Sequence, residues 1–156
     1  MTPTDKRDTL VVARNRKARH ELRITRTFEA GIELTGTEVK ALRKGLISLD
    51  QAWAVVESEE VWLRDVNIGE YGAGSWNNHA PRRKRKLLLH RKEIRELAAE
   101  VENDRTLVPL EVFFSERGFA KVLLGVGEGL QRHDRRENIK KKEAEREMRQ
   151  ALKRRR

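Results

Sequence analysis

Four histidines, His20, His79, His90 and His133, are the side chains suited to acid–base or metal chemistry near neutral pH. Their spacing does not suit it. They stand far apart, and none falls in a metal-ligand pattern such as H-E-x-x-H. Cysteine is absent, which removes thiol catalysis, Cys-ligated zinc and disulfides and fits a reducing compartment. There is no G-x-S-x-G and no P-loop. Gly125-Val126-Gly127-Glu128-Gly129 is rich in glycine but lacks the Gly-Lys-Ser/Thr ending, and no helical pattern follows it directly. Carboxylates are abundant but interleaved with Lys and Arg, so no acid–base pair stands out. The residues therefore predict no enzyme, no cofactor and no metal. An RNA-acting enzyme with an unrecognised carboxylate site stays as a rival, to be told apart by metal-dependent turnover of RNA.

The chemistry the chain does offer is cationic. Its 35 Lys and Arg outweigh 25 Asp and Glu. From Gln131 to Arg156 there are 12 Lys and Arg against 5 acids, so most of the net charge of +10 sits on one C-terminal extension. Ile139, Ala144, Met148, Ala151 and Leu152 are its only apolar side chains, enough for one narrow helical stripe and too few for a core. A second cationic cluster is Arg14, Arg16, Lys17, Arg19 and Arg23. A third is Arg82-Arg83-Lys84-Arg85-Lys86, next to Tyr71, Trp76 and His79 in an aperiodic loop over Gly69–Pro81. Cations beside aromatic rings can grip phosphates and stack on bases; a solvated loop with a solubilising charge run is the alternative. Nucleic acid comes first as partner and an anionic membrane second, because no stretch pairs a cationic face with a broad apolar one. No apolar run approaches the ~18 residues of a membrane span and the N-terminus lacks a signal-peptide apolar region, so a cytoplasmic protein is expected.

These side chains need a scaffold, and the apolar residues for one concentrate between about Leu22 and Val126. The chain divides into a mobile start over residues 1–12, a body over 13–130 and a basic tail over 131–156. Apolar stretches lie around His20–Arg26 and Thr27–Leu34. Thr37–Gly45 reads as a short helix, with Thr37 as its cap and Gly45 as its left-handed stop. Ala52–Glu57 and Val61–Val66 form a hairpin around Ser58-Glu59-Glu60. Thr106–Phe114 and Phe119–Val126 form another, with Gly118 in its turn. Ile94, Leu97, Ala98 and Val101 put one apolar face on a helix near His90–Asn103. The fold class is mainly β: a small antiparallel barrel of the oligonucleotide-binding (OB) type with peripheral helices. In the tail, Asp134 and Glu137 suggest a capping box, while Glu137–Lys141 and Glu145–Arg149 are favourable helical pairs. A helix from about Asp134 to Leu152 is expected, partly disordered when free and formed on a polyanion.

Several motifs occur in order: Asn15-Arg16-Lys17-Ala18-Arg19-His20, the long block Phe28–Arg43, Arg85–Ile94, Thr106–Leu110 and His133-Asp134-Arg135-Arg136. Across roughly residues 14–153 the chain resembles the SmpB (small protein B, SsrA-binding protein) family, partners of transfer-messenger RNA (tmRNA) in bacteria. The resemblance implies an OB-type barrel with a basic tail and no chemistry by the protein itself. It implies binding to the tRNA-like domain of tmRNA and delivery of that RNA to stalled ribosomes for trans-translation. Elongation factor Tu would be an indirect partner through alanyl-tmRNA. The tail would work as a helix in the decoding region and the empty message channel of the small subunit. A ribosomal or ribosome-assembly RNA-binding protein is the alternative, to be separated by the Phe28–Arg43 block and by which RNA copurifies.

By that resemblance Asn15, His20, Glu29, Lys86, Leu88 and Gly129 match positions tied to the tRNA-like domain. The neighbouring cations Lys17, Arg19 and Arg85 join them as RNA contacts. Glu29 could accept hydrogen bonds from bases, fix an arginine, or be a plain surface ion pair. Leu88 could be core or contact, and Gly129 could permit close RNA approach or make a turn. His133, Asp134, Arg135 and Arg136 match the motif assigned to the decoding region, and Lys140, Lys141 and Lys142 extend that contact. The chain departs from many relatives in having Gly129-Leu130-Gln131 where they carry Gly-Lys-Lys. Glu128 stands where lysine is common, so a weaker positive field is expected at the entry to the tail.

Overall fold

The computed structural model describes residues 10–72, 78–129 and 132–154, with side chains excluded over 132–139. In chain order the elements are β1 (Leu10–Arg14), α1 (Arg16–Glu21), β2 (Leu22–Ile32), α2 (Gly36–Arg43), β3 (Ile47–Ser48), β4 (Trp53–Glu57), β5 (Glu60–Arg64), β6 (Asn67–Ile68), β7 (Arg85–Leu88), α3 (Arg91–Glu102), β8 (Thr106–Phe114), β9 (Ala120–Gly129) and α4 (Arg132–Arg154). The main sheet runs β1-β8-β4-β5-β7-β2-β9, and β9 pairs again with β8. Six antiparallel strands thus close into a barrel and β1 is added along the far half of β8. Closure removes the exposed edges an open sheet would carry. The expected antiparallel barrel with peripheral helices is the fold observed.

The interior follows from strand alternation. Phe28, Ala30 and Ile32 of β2, Val61 and Leu63 of β5, Leu87 of β7 and Val122, Leu124 and Val126 of β9 point inward and are buried. α2 contributes Ala41 and Leu42 to this core, and α3 contributes Leu97. A register shift against β9 at Ile24/Arg26 in β2, and a separate one at Pro109/Glu111 in β8, change which residues face in. Before the shift, Leu22 and Ile24 face outward. There they pack with Leu110 and Val108 under Ala18 of α1 as a second, smaller cluster. One extra residue flips every side chain beyond it to the other face, so a single strand serves two cores.

The glycines of β9 belong to that packing. A Cβ on Gly125 would stand 2.7 Å from Leu110 Cδ1, and one on Gly127 3.0 Å from Leu22 Cβ. The glycine-rich run is thus a floor for leucines laid across a strand.

The two expected hairpins and the His90–Asn103 helix stand close to their expected limits. Ser58 and Glu59, with φ of 49° and 61°, form the two-residue turn of the first hairpin. β1 begins at Leu10, so residues 10–12 of the expected mobile start are sheet; the rest of that start lies outside the described residues. The first helix of the Phe28–Arg43 block is capped by Thr35 rather than Thr37, because Gly36 is already helical. The Thr35 N–H donates to Glu38 Oε1 at 3.1 Å, while the Thr37 hydroxyl is committed to His79.

Candidate nucleic-acid interface

Asn15 sets the position of α1. Its backbone N–H donates to the Leu110 carbonyl at 2.7 Å, and its side-chain amide donates to Pro109 O at 3.1 Å and Leu49 O at 3.2 Å. Its Oδ1 accepts the Ala18 N–H at 3.1 Å, the usual N-cap bond. The side chain is buried, so Asn15 fastens a six-residue helix to the barrel wall. With Ala18 turned inward, Lys17, Arg19 and His20 are left on the exposed side. Arg19 and Arg14 each lie 3.7 Å from Glu111, at the long end of ion pairing.

Farther along β2, Glu29 and Gly31 alternate with the buried Phe28, Ala30 and Ile32 and therefore face outward. Gly31 is opposite Leu88 on one side and Lys121 on the other. A Cβ on Gly31 would lie 3.3 Å from Leu88 Cβ, so the leucine rests on the glycine and remains 53% exposed. Lys121 Nζ donates to Glu29 Oε1 at 2.8 Å. Lys86, on the same face of β7 as Leu88, donates to Glu60 Oε1 at 3.0 Å. Gly129 is opposite Leu22 at the other end of β2, beside α1. The outer side of β2 thus carries one strip, from Gly129 and α1 past Glu29 to Leu88 and Lys86, roughly 30 Å long at ~3.3 Å per residue. Leu88 is resolved as an exposed residue and Glu29 as one partner of an ion pair.

The cationic run Arg82–Lys86 divides. Arg85, expected among the RNA contacts, is fully buried. It is ion-paired with Glu38 and donates to the carbonyls of Val66 at 2.9 Å, Arg83 at 3.1 Å and Pro81 at 3.1 Å. Arg83 also bonds Glu38, through Nε at 2.9 Å. Burial pushes the Glu38 carboxyl up, but hydrogen bonds from Arg83, the Thr35 N–H and Arg85 hold it below its ordinary value. Burial lowers Arg85, with Glu38 acting the other way. A guanidinium stays protonated regardless. Arg82, Lys84 and Lys86 remain on the surface, with the Lys84 ammonium 4.5 Å over the Trp62 ring. His79 is likewise taken inside: Nε2 donates to Ile68 O at 2.9 Å, and Nδ1 is hydrogen-bonded to the Thr37 hydroxyl at 3.0 Å. His79 is therefore a structural link between the Gly69–Pro81 loop and α2. Trp76 lies outside the described residues.

The tail is helical from Arg132 to Arg154. Asp134 therefore falls in the first turn instead of capping it, still at the positive end of the helix. The side chains of His133, Asp134, Arg135 and Arg136 lie outside the described residues. Lys140, Lys141 and Lys142 are exposed, as is every side chain from Lys140 to Arg154, with Met148 at 70% and Leu152 at 67%. At its root, Glu128 is paired with Arg105 at 2.9 Å, so part of its negative charge is neutralised within the body.

Sequence reading missed Lys121, Trp62 and Arg105. Each gains its place only through pairing across the barrel, and no local pattern marks it. It also took Arg85 for a surface cation, since nothing in a run of five cations distinguishes the one that turns inward.

Among the described residues no group of acids and histidines could hold a metal ion, and no helix is long and apolar enough to cross a membrane. Residues 12–154 match the family model for SmpB protein. An SsrA-binding protein of Thermobifida fusca (strain YX) is 53% identical over 146 residues, spanning 93% of this chain and 91% of that one. An SsrA-binding protein of Mycolicibacterium smegmatis is 52% identical over 139 residues, 88% of this chain and 86% of that one. A solved structure described as "tmRNA-SmpB: a journey to the center of the bacterial ribosome" superposes with a TM-score of 0.67 at 47% identity, covering 83% of this chain and 94% of that one. With a family match running from β1 to the end of α4, and half of all residues shared with relatives along nearly the whole length, the chain belongs to the SmpB protein family.

Proposed function

We propose that this protein binds the tRNA-like domain of tmRNA through the outer strip along β2 and delivers it to stalled ribosomes for trans-translation. The observation that carries the reading is the separation of two cationic surfaces: a strip on the barrel, and a 23-residue helix whose described side chains are all exposed. At 1.5 Å per residue that helix is about 35 Å long. One surface can hold RNA while the other enters the decoding region and the empty message channel. The names of the relatives and of the solved structure support the choice of tmRNA and the ribosome as partners.

On the strip, Lys17, Arg19 and Lys86 neutralise phosphates, exposed His20 stacks on a base, and Leu88 gives apolar contact to a base or ribose. Glu29, paired with Lys121, orients that ammonium toward the RNA. Asn15 and Arg85 act indirectly, Asn15 by holding α1 and Arg85 by holding β7. A Cβ at Gly129 would meet no atom within 4 Å, so internal packing leaves room there for a partner. In this reading the protein makes and breaks no bonds, needs no cofactor, meets elongation factor Tu only through the charged RNA, and works in the cytoplasm. On the ribosome, His133, Asp134, Arg135 and Arg136 and then Lys140, Lys141 and Lys142 meet the decoding region.

Truncation after Gly129 tests the division. Binding to the tRNA-like RNA should persist while peptide tagging on ribosomes lacking downstream message is lost. Loss of RNA binding on truncation would refute it.

A further inference from the structure

At the mouth of the barrel from which the tail starts, five charged side chains meet: Arg26, Glu96, Glu100, Arg105 and Glu128. Arg26 and Glu128 stand on the same faces of β2 and β9 as the buried Phe28 and Val126, two residues away on each strand. Arg26 Nη2 donates to Glu96 Oε2 of α3 at 2.6 Å, and its Nη1 lies 3.6 Å from Glu100 Oε1. Arg105, between α3 and β8, lies 2.9 Å from Glu128 through Nη2 and 3.6 Å from Glu100 through Nη1. Glu100 thus links the two arginines. The Arg105 N–H donates to the Glu100 carbonyl at 3.1 Å, so its backbone is fixed to the end of α3. The strand register gives the Arg105–Glu128 pair its place. β8 pairs with β9 from Phe114 opposite Ala120 to Thr106 opposite Gly127, and Arg105 and Glu128 are the next rung. Beyond Gly127, among the described residues, only β2 pairs with β9. In Gly127-Glu128-Gly129 the glutamate is also the one residue with a side chain to grip.

Ion pairs as exposed as these add little to the stability of a fold. Their position gives them another use. Glycine on both sides of Glu128 leaves the backbone there free to turn, and that freedom is opposed by one ladder and one side chain. We propose that Arg105 is a positioning residue for the tail: held by α3 and shared with Glu100, it replaces the missing strand beside Glu128 and fixes the end of β9, so that the tail starts from a set point on the barrel. A tether that starts from a fixed point confines what it carries to a smaller volume, which raises the effective concentration of α4 at a site a set distance from the body. The proposal rests on the reading of the chain as a protein whose body holds RNA while its tail works on the ribosome. It adds the contact that keeps the two in register.

The test compares the full chain with Arg105→Ala, Glu128→Ala and the double variant. Amide hydrogen exchange followed by NMR reads the root of the tail. Each single variant should speed exchange about two- to fivefold, the equivalent of one exposed ion pair, at those amides of Leu22–Ile24 and Gly127–Gly129 that are protected in the wild type. Exchange at Val122–Leu124 and the melting midpoint should stay as in the wild type. Peptide tagging is measured on ribosomes lacking downstream message, with protein in excess over alanyl-tmRNA so that affinity for the RNA drops out. It should slow by a similar factor. Both residues act through one bond, so the double variant should be no slower than the slower single variant. Losses that multiply would overturn the proposal, since each residue would then act separately. Unchanged exchange at the root would overturn it, as would faster exchange with unchanged tagging. Faster exchange throughout the body with a lower midpoint would overturn it too, by making the pair a plain stabilising contact. Failure of the wild-type chain to bind tRNA-like RNA or to support tagging would instead count against the proposed function, with the exchange measurements still readable.

Discussion

Arg85 and Lys86 are neighbours in one cationic run, yet they should fail in opposite ways. Arg85→Ala would strip Glu38 of one of its two guanidinium partners. It would also leave the carbonyls of Val66, Arg83 and Pro81 without this donor. Breaking a buried ion pair costs about 3–5 kcal/mol. Arg83 still bonds Glu38, which puts the cost near the lower end, about 3–4 kcal/mol. For a body of this size that lowers the melting midpoint by roughly 10–20 °C. Lys86→Ala removes only a half-exposed pair with Glu60, worth about 0–1 kcal/mol. Its effect should fall on RNA: the salt slope for the tRNA-like RNA drops by about 0.7–0.9. Thermal unfolding followed by circular dichroism reads the first quantity. A salt titration of binding, well below both midpoints, reads the second. An Arg85→Ala variant with an unchanged midpoint and a reduced salt slope would refute the assignment of Arg85 to the interior.

Glu38 should give the body an acid-sensitive limb. Its folded carboxyl sits below the ordinary value, so its stabilisation is full above about pH 4.3 and is lost as pH falls through the folded value. Midpoints measured from pH 7 to 3 should drop more steeply for wild type than for Glu38→Gln. The two glycines of β9 should also separate. Gly125→Ala pushes into Leu110 and costs about 1–3 kcal/mol in denaturant melts, whereas Gly129→Ala leaves those melts unchanged and weakens binding to the tRNA-like RNA. In the tail, Ala144→Pro removes a backbone donor in mid-helix and costs about 3 kcal/mol of helix stability. The body's melting and its RNA binding should stay normal while tagging on stalled ribosomes falls; full tagging activity would show that the helix is dispensable.

What the chain determined locally, it declared locally. Alternating apolar residues flanking Ser58-Glu59 and Gly118 mark two hairpins, because strand periodicity and turn chemistry are properties of adjacent residues. The i, i+3, i+4 stripe of α3 is legible for the same reason, and so is the charge segregation of the tail, whose described side chains meet solvent. The motif order pointed to the family and to most of the residues proposed to face RNA. Tertiary structure decided what depends on distant partners. Whether a cation faces water or the core is set by what lies across the barrel, and Arg85 finds Glu38 47 residues away. The register shift near Thr25 gives β2 an inward face in one half and a seat for α1 in the other, and it shows only in the pairing of β2 with β9, a strand about a hundred residues away. The meeting of Arg26, Arg105 and Glu128 beside α3 belongs to the same class: residues far apart in the chain became one cluster only when the barrel closed.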